Sequence, residues 1–332
     1  MVSGRLNGLG DSEVLRVEDL VLHYSTLRGV VKAVNHVSFS VRKGETLAVV
    51  GESGSGKSST ASAIVRILPR NVAAYKGSVF FNGVDIMKLG EEDFRRRVRV
   101  GGISMVFQGA MNSLNPVMKV ENQIAEPLII NMNYSKQEAV SEAIRALKLV
   151  GLNPEVGKRY PHELSGGMKQ RVLIAMSIVS KPRLIILDEP TSALDVITQA
   201  NIMNLLKKLK LEQDFTYVFI THDLGLASEL ADKVAVMYAG KVVELGPAES
   251  VYLSSKHPYT KLLLESVPTI REDRPPTFIP GAPPDLINLP TGCSFHPRCP
   301  LAVKGKCDVE QPPMNKADEN HQAMCWLLEE RN

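Results

Sequence analysis

The stretch Gly51-Glu52-Ser53-Gly54-Ser55-Gly56-Lys57-Ser58 constrains the fold more than any other part of the chain. It has the form G-x-x-x-x-G-K-[ST] and follows an apolar run, Thr46–Val50, that reads as a buried strand. Ser59–Leu68 after it reads as a helix. Strand, glycine loop and helix in that order are the context of a phosphate-binding loop. Glycines allow positive φ and let a ligand approach the backbone closely. Successive N–H groups and the helix N-terminus then face the phosphates. Lys57 adds a full positive charge at the β/γ-phosphates, and Ser58 offers a hydroxyl to Mg²⁺. Gly51, Ser53, Gly54, Ser55, Gly56, Lys57, Ser58 and Ser59 are therefore candidate nucleotide-binding residues. The competing reading, a chance glycine-rich turn, leaves the strand, the helix, Lys57 and Ser58 unaccounted for.

On either side of this loop the apolar spacing outlines an α/β chain. Val14–Tyr24 and Val34–Val41 alternate as half-buried strands do, so a β-rich segment precedes the loop. Tyr24 is either a strand aromatic or a ring that stacks on a purine base. Lys76–Asn82 reads as a further strand with a turn at Asn82-Gly83, and Glu91–Arg99 as a charged, solvated helix. Gly102–Phe107 is a buried strand ending at Gln108, followed by a loop over Gly109–Pro116. Val120–Asn131 and Ser135–Val150 follow helical spacing, and His162–Gln170 opens a long helix to Ser180. Ser165 is its expected N-cap, and Gly166-Gly167 would admit an anion at its start. This mostly helical block, about 109–180, interrupts the strand–helix alternation and reads as an inserted subdomain. Leu184–Asp188 is an apolar strand that delivers Asp188 and then Glu189 at its C-terminal end. In a phosphate-loop protein such a strand places Asp188 near Mg²⁺. Glu189 points elsewhere and can polarise a water. Thr216–Thr221 is another buried strand, ending at His222, where open α/β sheets bind ligands. Val234–Tyr238 and Lys241–Leu245 read as a hairpin turning at Ala239-Gly240.

From about Arg271 prolines crowd the chain and the alternation stops. All four cysteines fall in this part, and the 292 residues before Cys293 contain none. Cys293, Cys299, Cys307 and Cys325 are spaced C-x5-C-x7-C-x17-C. That spacing lacks the paired knuckles that structural zinc favours. Loop-borne sets of four thiolates suit iron–sulfur clusters, with zinc or inert thiols as the other readings and His296 and His321 as nearby substitutes. A net charge of +3 gives no reason to expect nucleic acid. No apolar run approaches the ~18 residues that cross a membrane. Met1–Glu13 has no apolar core of a secretory signal, so a soluble cytoplasmic protein is expected.

Taken together over about Leu15–Leu264, these motifs resemble the ATP-binding subunit of an ABC transporter. Gly51–Ser58 resembles its Walker A, Gln108 its Q-loop and Leu164-Ser165-Gly166-Gly167-Met168 its signature motif. Leu184–Asp188 resembles Walker B with Glu189 as catalytic carboxylate, Ser192–Asp195 the D-loop, and His222 the switch histidine. Phe107-Gln108 with Ser113-Leu114-Asn115-Pro116, and the ending from His257-Pro258-Tyr259-Thr260 to Cys293–Cys299, are similar to oligopeptide/dipeptide importers. Gly109 stands where bacterial members often carry an acidic residue.

The resemblance implies an ABC ATPase core over 1–268 and an irregular cysteine-bearing extension over 269–332. The core combines an antiparallel β subdomain with the inserted helical subdomain. It implies a base-stacking role for Tyr24, Mg²⁺ at Ser58, Gln108 and Asp188, and a [4Fe–4S] cluster at the four cysteines. Catalysis falls to Glu189, His222 and Gln108, and Ser165, Gly166 and Gly167 are offered to a second subunit's ATP. The implied partners are a related but different ATPase chain, two permeases and an extracellular solute-binding protein, at the cytoplasmic face of the membrane. The solute, peptide or oligosaccharide, does not follow. The runner-up class is a soluble ATPase acting on ribosomes, DNA or iron–sulfur assembly. Translation-factor types carry two such domains, and DNA-repair types a long coiled coil between the Walker motifs; this chain has neither.

Overall fold

The structure, a computed structural model, describes residues 13–267 and 278–331. The polar start before Glu13 and the compositional change at Arg271 lie outside the described residues.

Two sheets form the frame. Strands β1 (Glu13–Thr26) and β2 (Gly29–Arg42) are long antiparallel partners. With β4 (Val72–Phe81) and β5 (Val84–Asp85) they make a four-stranded antiparallel sheet ordered β2-β1-β4-β5. The main sheet is built on β3 (Thr46–Val50), which pairs in parallel with β8 (Thr216–Thr221) and β9 (Lys233–Tyr238). Beyond β8 come β7 (Leu184–Asp188) and then β6 (Ile103–Val106), also parallel. On the other side β10 (Lys241–Pro247) runs antiparallel to β9, turning at Ala239 and Gly240 as expected. Two short strands of the cysteine-bearing extension, β11 (Asn315–Asp318) and β12 (His321–Ala323), complete the eight-stranded order β11-β12-β10-β9-β3-β8-β7-β6. The prolines around them gave no hint of these two strands.

Strands β3, β7 and β8 are buried at every position because both faces are covered. Ala48, Val50, Ile185, Leu187 and Phe219 join the core beneath the helices. Leu47, Val49, Leu184, Ile186 and Val218 join a second core under the antiparallel sheet. Successive residues of one strand thus serve opposite cores, as a period of two requires.

Helices follow their local signals. The first, α1 (Lys57–Ile64), begins two residues before the expected start, which puts Lys57 and Ser58 in its first turn. The charged segment divides into α2 (Glu91–Phe94) and a π-helical turn over Arg95–Arg99. Its arginines pair with Glu91, Glu92 and Asp93 on an exposed face, in line with the solvated reading. The helical block contains α3 (Val120–Met132), α4 (Lys136–Leu149) and α5 (Gly166–Ile178). Ser135 caps α4 in a reciprocal box with Glu138. Then α6 (Val196–Gln213), α7 (Leu224–Ser228), α8 (Ala248–Ser254) and α9 (Pro258–Glu265) cover the main sheet. Among the described residues no helix is long and apolar enough to cross a membrane.

Candidate functional site

The phosphate loop lies at the C-terminal end of β3, between strand and α1, as its sequence requires. Gly51 has φ 147°, and a Cβ there would stand 2.2 Å from the Met237 carbonyl oxygen. Gly56 has φ 103°, and a Cβ would stand 2.1 Å from the Ala33 carbonyl oxygen. Only glycine fits either position, because the loop is pressed against β9 and β2. Lys57 is buried, and its Nζ donates to the carbonyls of Gly51 and Glu52 at 2.8 and 2.9 Å. Burial lowers the pKa of its ammonium, while Glu189, Asp188 and Glu52 oppose that shift.

The two adjacent carboxylates part company through backbone geometry. Asp188 ends β7 and accepts a hydrogen bond from Ser58 Oγ at 3.0 Å. Glu189 adopts φ 47°, a left-handed conformation costly for a side-chain-bearing residue and concentrated at functional sites. That turn aims its carboxylate at a different set of partners. Gln108 Nε2 donates to Glu189 Oε2 at 2.8 Å, and His222 Nδ1 lies 2.9 Å from Glu189 Oε1. Three residues expected to share catalysis, 81 and 33 positions apart, therefore form one hydrogen-bonded unit. Asp188 is buried, and desolvation is the largest influence raising its pKa. A carboxylate in that state gains from a cation at hand, and Ser58 beside it supplies a second oxygen. The paired oxygens of Ser58 and Asp188 suit Mg²⁺, and Gln108, whose Nε2 faces Glu189, has an amide oxygen that could serve as a further ligand.

A pocket joins these groups. Ser53, Gly54, Gly56, Lys57, Ser58 and Ser59 line it together with Gln108 and Glu189. Tyr24 lines it too, along with Val31, Ala33 and Leu286. Tyr24 and Val31 face each other across β1 and β2. Sequence reasoning missed Val31, Ala33 and above all Leu286, which comes from the extension. The Leu286 carbonyl accepts from the Lys32 N–H at 3.0 Å, so the extension is seated on β2 beside the pocket.

Ser165, Gly166 and Gly167 are not among the lining residues. Ser165 does cap α5, accepting from the Met168 N–H at 3.3 Å. A Cβ on Gly166 would touch nothing closer than Leu194 at 3.6 Å. On Gly167 it would meet Thr198 Cγ2 at 2.7 Å. Gly167 is therefore demanded by the packing of α5 against α6, which the reading of both glycines as room for a ligand did not anticipate. Gly109 has φ 66°, a conformation that suits glycine at the place where an acidic residue is common in bacterial members.

Cys293, Cys299, Cys307 and Cys325 are free thiols around one small pocket, screened by Phe295, Leu301, Pro312 and Trp326. Burial raises the pKa of Cys293 and Cys299 and pushes that of Cys325 up to about 11. Among the described residues no three His, Cys, Asp or Glu side chains stand close enough together to hold a metal ion. The expected iron–sulfur or zinc site is thus matched in its converging thiols and not in ligand geometry. Of the two nearby histidines, His296 lines this pocket and His321 does not. His296 Nδ1 lies 2.9 Å from the Cys293 carbonyl oxygen. His321 is buried against Glu244, with Nε2 2.7 Å from Oε1.

Comparison with known proteins agrees with this geometry. The ABC transporter family matches residues 34–192, and the oligopeptide/dipeptide transporter C-terminal region matches residues 243–307. The chain is 46% identical over 324 residues to the oligopeptide transport ATP-binding protein OppD of Bacillus subtilis, covering 96% of this chain and 89% of that protein. It is 43% identical to the dipeptide transport ATP-binding protein DppD of the same organism, covering 96% of each. A dimeric ATP-binding cassette solved with ADP and Pi superposes with a TM-score of 0.63 at 29% identity, over 70% of this chain and 98% of that one. The chain belongs to the ABC transporter ATP-binding subunits of the oligopeptide/dipeptide import family, and it is an ATPase coupled to transport.

Proposed function

We propose that the chain energises peptide uptake as one half of a head-to-tail pair of ATPase subunits. The observation that carries this is the division of the site. The loop, Gln108 and Glu189 line one pocket, with Asp188 held to Ser58 and His222 to Glu189 just behind it, whereas Ser165, Gly166 and Gly167 lie outside its lining. The signature residues are then available to the ATP held by a second chain. The similar cassette solved with ADP and Pi is dimeric, which supports a pairing of two such chains.

In this reading Lys57 and the loop amides hold the β/γ-phosphates, and Tyr24 stacks on the base. Ser58, Asp188 and Gln108 would hold Mg²⁺, which would supply neutralisation of the charge that develops during phosphoryl transfer. Glu189 orients or deprotonates the attacking water, and His222 contacts the γ-phosphate. The His222–Glu189 contact keeps the carboxylate aimed before ATP arrives. Little covalent chemistry is asked of the protein, and positioning with electrostatics supplies the rate. Closure of the pair on ATP and reopening after hydrolysis is the motion passed to the membrane.

The partners follow from that role: a homologous but different ATPase chain, two permeases and an extracellular solute-binding protein. Nucleic acid is not among them. The chain would sit peripherally at the cytoplasmic face of the cell membrane. Peptides are favoured over oligosaccharides by the names of the relatives. Affinity purification from the native membrane should bring down two permease chains and a second ATPase. In vesicles carrying that assembly, short peptides with the binding protein should stimulate ATP hydrolysis. Stimulation by oligosaccharides alone would overturn the solute, and recovery of nucleic acid without permeases would overturn the class.

The residues that would hold a [4Fe–4S] cluster are Cys293, Cys299, Cys307 and Cys325. Supporting this are an all-thiol donor set and its convergence on one screened pocket. Such a cluster, when bound, cross-links an irregular segment. The chain's own contribution is to bring four loop positions together and to release the thiol protons on loading. Pure protein should then be brown and contain iron with acid-labile sulfide. Colourless protein with stoichiometric zinc would refute the assignment.

A further inference from the structure

The second residue of the phosphate loop is gripped from 246 positions away. Glu52 Oε2 and Oε1 accept from Arg298 Nη1 and Nη2 at 2.8 and 3.0 Å, a two-pronged pair. The Arg298 side chain is only 6% exposed. Its Nε donates to the Pro280 carbonyl at 2.8 Å, and Nη1 also reaches Tyr238 Oη at 3.3 Å. A planar fork with its donors engaged this way has little freedom left. The main chain of Glu52 is held as well. Its N–H donates to Tyr259 Oη at 2.9 Å, and its carbonyl accepts from Lys57 Nζ at 2.9 Å. One residue is therefore grasped through its side chain by the extension and through its backbone by the loop lysine. The rings of Tyr238, Tyr259 and Phe295 pack against one another with centroids 4.6 to 5.3 Å apart. Phe295 and Arg298 both lie between Cys293 and Cys299, so the fold of that short segment places the guanidinium.

We propose that Arg298 is a positioning residue of the ATP site. By clamping Glu52 it fixes the turn from β3 into the loop, and with it where Lys57 and the loop amides meet the phosphates. Arg298 lies outside residues 34–192, within the segment 243–307 that matches the C-terminal region of peptide transporters. That region then acts on ATP directly rather than serving as a separate appendage. The proposal rests on the ATP-site reading and adds to it a residue that lies outside the lining of the pocket. Arg298 has no contact with Glu189, Gln108 or His222, so it acts on nucleotide affinity and leaves the hydrolytic unit alone.

The test uses the full chain, the non-hydrolysable analogue AMP-PNP with Mg²⁺ in calorimetry, and steady-state ATP hydrolysis. Arg298→Gln should raise the analogue Kd and the KM for ATP by about 3- to 30-fold while the saturated rate stays near wild type. Glu52→Gln should give the same shift, and the double variant should lose no more than either single one. Arg298→Lys, which keeps the charge but not the fork, should fall between and decides the matter if Arg298→Gln does not fold. His321→Gln, which breaks another buried contact of the extension, should lower the unfolding temperature without changing Kd. Wild-type Kd in the folded Arg298 variants, additive single effects, or an equal Kd rise in His321→Gln would each overturn the proposal. Failure of the wild-type chain to bind the analogue would instead overturn the ATP-site reading.

Discussion

Glu189→Gln separates turnover from binding and can be worked through from the contacts. The carboxylate accepts from Gln108 Nε2 and faces His222 Nδ1 at 2.8 and 2.9 Å, and its side chain is 14% exposed. Glutamine keeps the volume, the left-handed backbone and one acceptor oxygen. Its amide nitrogen must face one of the two partners, and either can accept from it, Gln108 by flipping its amide or His222 by changing tautomer, so the cost in stability is about 1 kcal/mol or less. The chain therefore stays folded. The rate loses a general base, which contributes roughly 10²- to 10⁴-fold, or about 3–5 kcal/mol of barrier. None of the contacts of Lys57, Ser58 or Asp188 with one another passes through Glu189. Removing a negative charge beside a triphosphate should leave ATP affinity equal or improved. Phosphate release at saturating ATP and equilibrium ATP binding measure the two quantities, and light scattering should find the ATP-bound pair accumulating. Turnover at the wild-type rate would refute the role of Glu189. ATP affinity falling in step with turnover would refute the separation of roles.

Tyr24→Ala should raise the KM for ATP about 2- to 10-fold, the worth of one aromatic stacking contact, with kcat unchanged in a steady-state titration. The pKa of Asp188 is raised in the folded chain, so the nucleotide-free fold binds the proton more tightly than the unfolded chain does. Its stability is then higher below the unfolded value of 3.8 and is lost as pH rises through the folded pKa. Asp188→Asn should accordingly raise the unfolding temperature of the metal-free chain at neutral pH and abolish stabilisation by Mg²⁺-ATP, both read by thermal denaturation in the two states. Gly167→Ala should cost about 1–3 kcal/mol in urea unfolding through the clash with Thr198 Cγ2. Adding Thr198→Ser should recover most of it, since serine lacks that methyl group.

What the sequence revealed, it revealed through local causes. A loop between strand and helix, a carboxylate pair ending an apolar strand and a histidine ending its neighbour each carry their meaning within a few residues. Parallel pairing of β3, β7 and β8 then brings Ser58 to Asp188 and Glu189 to His222 without further instruction. Leu286 and Arg298 were illegible for the opposite reason. Both sit in a proline-rich stretch without periodicity, and their value lies in partners more than 200 positions away. Glu244 and His321, 77 positions apart, form a buried pair that joins β10 to β12 and has no local signal either. Gly167 shows a third kind of loss. Its sequence context suggests a ligand, and the close approach of Thr198 on a neighbouring helix is a further demand that no local signal carries.

The two short strands of the extension have a consequence for how the protein behaves at high concentration. An open sheet ends in a row of unpaired N–H and C=O groups, which invites pairing with another molecule. Here β12 bonds Leu245 and Glu244 of β10, and the Met324 N–H donates to the Val243 carbonyl. The outermost strand, β11, is only four residues long and carries Lys316 and Asp318. Brevity and charge are what natural sheets use to blunt such a rim. A chain cut after α9 would bare the outer edge of β10, which carries Val242 and Val243. Such a fragment should self-associate through strand addition and precipitate, even with every ATP-binding motif intact.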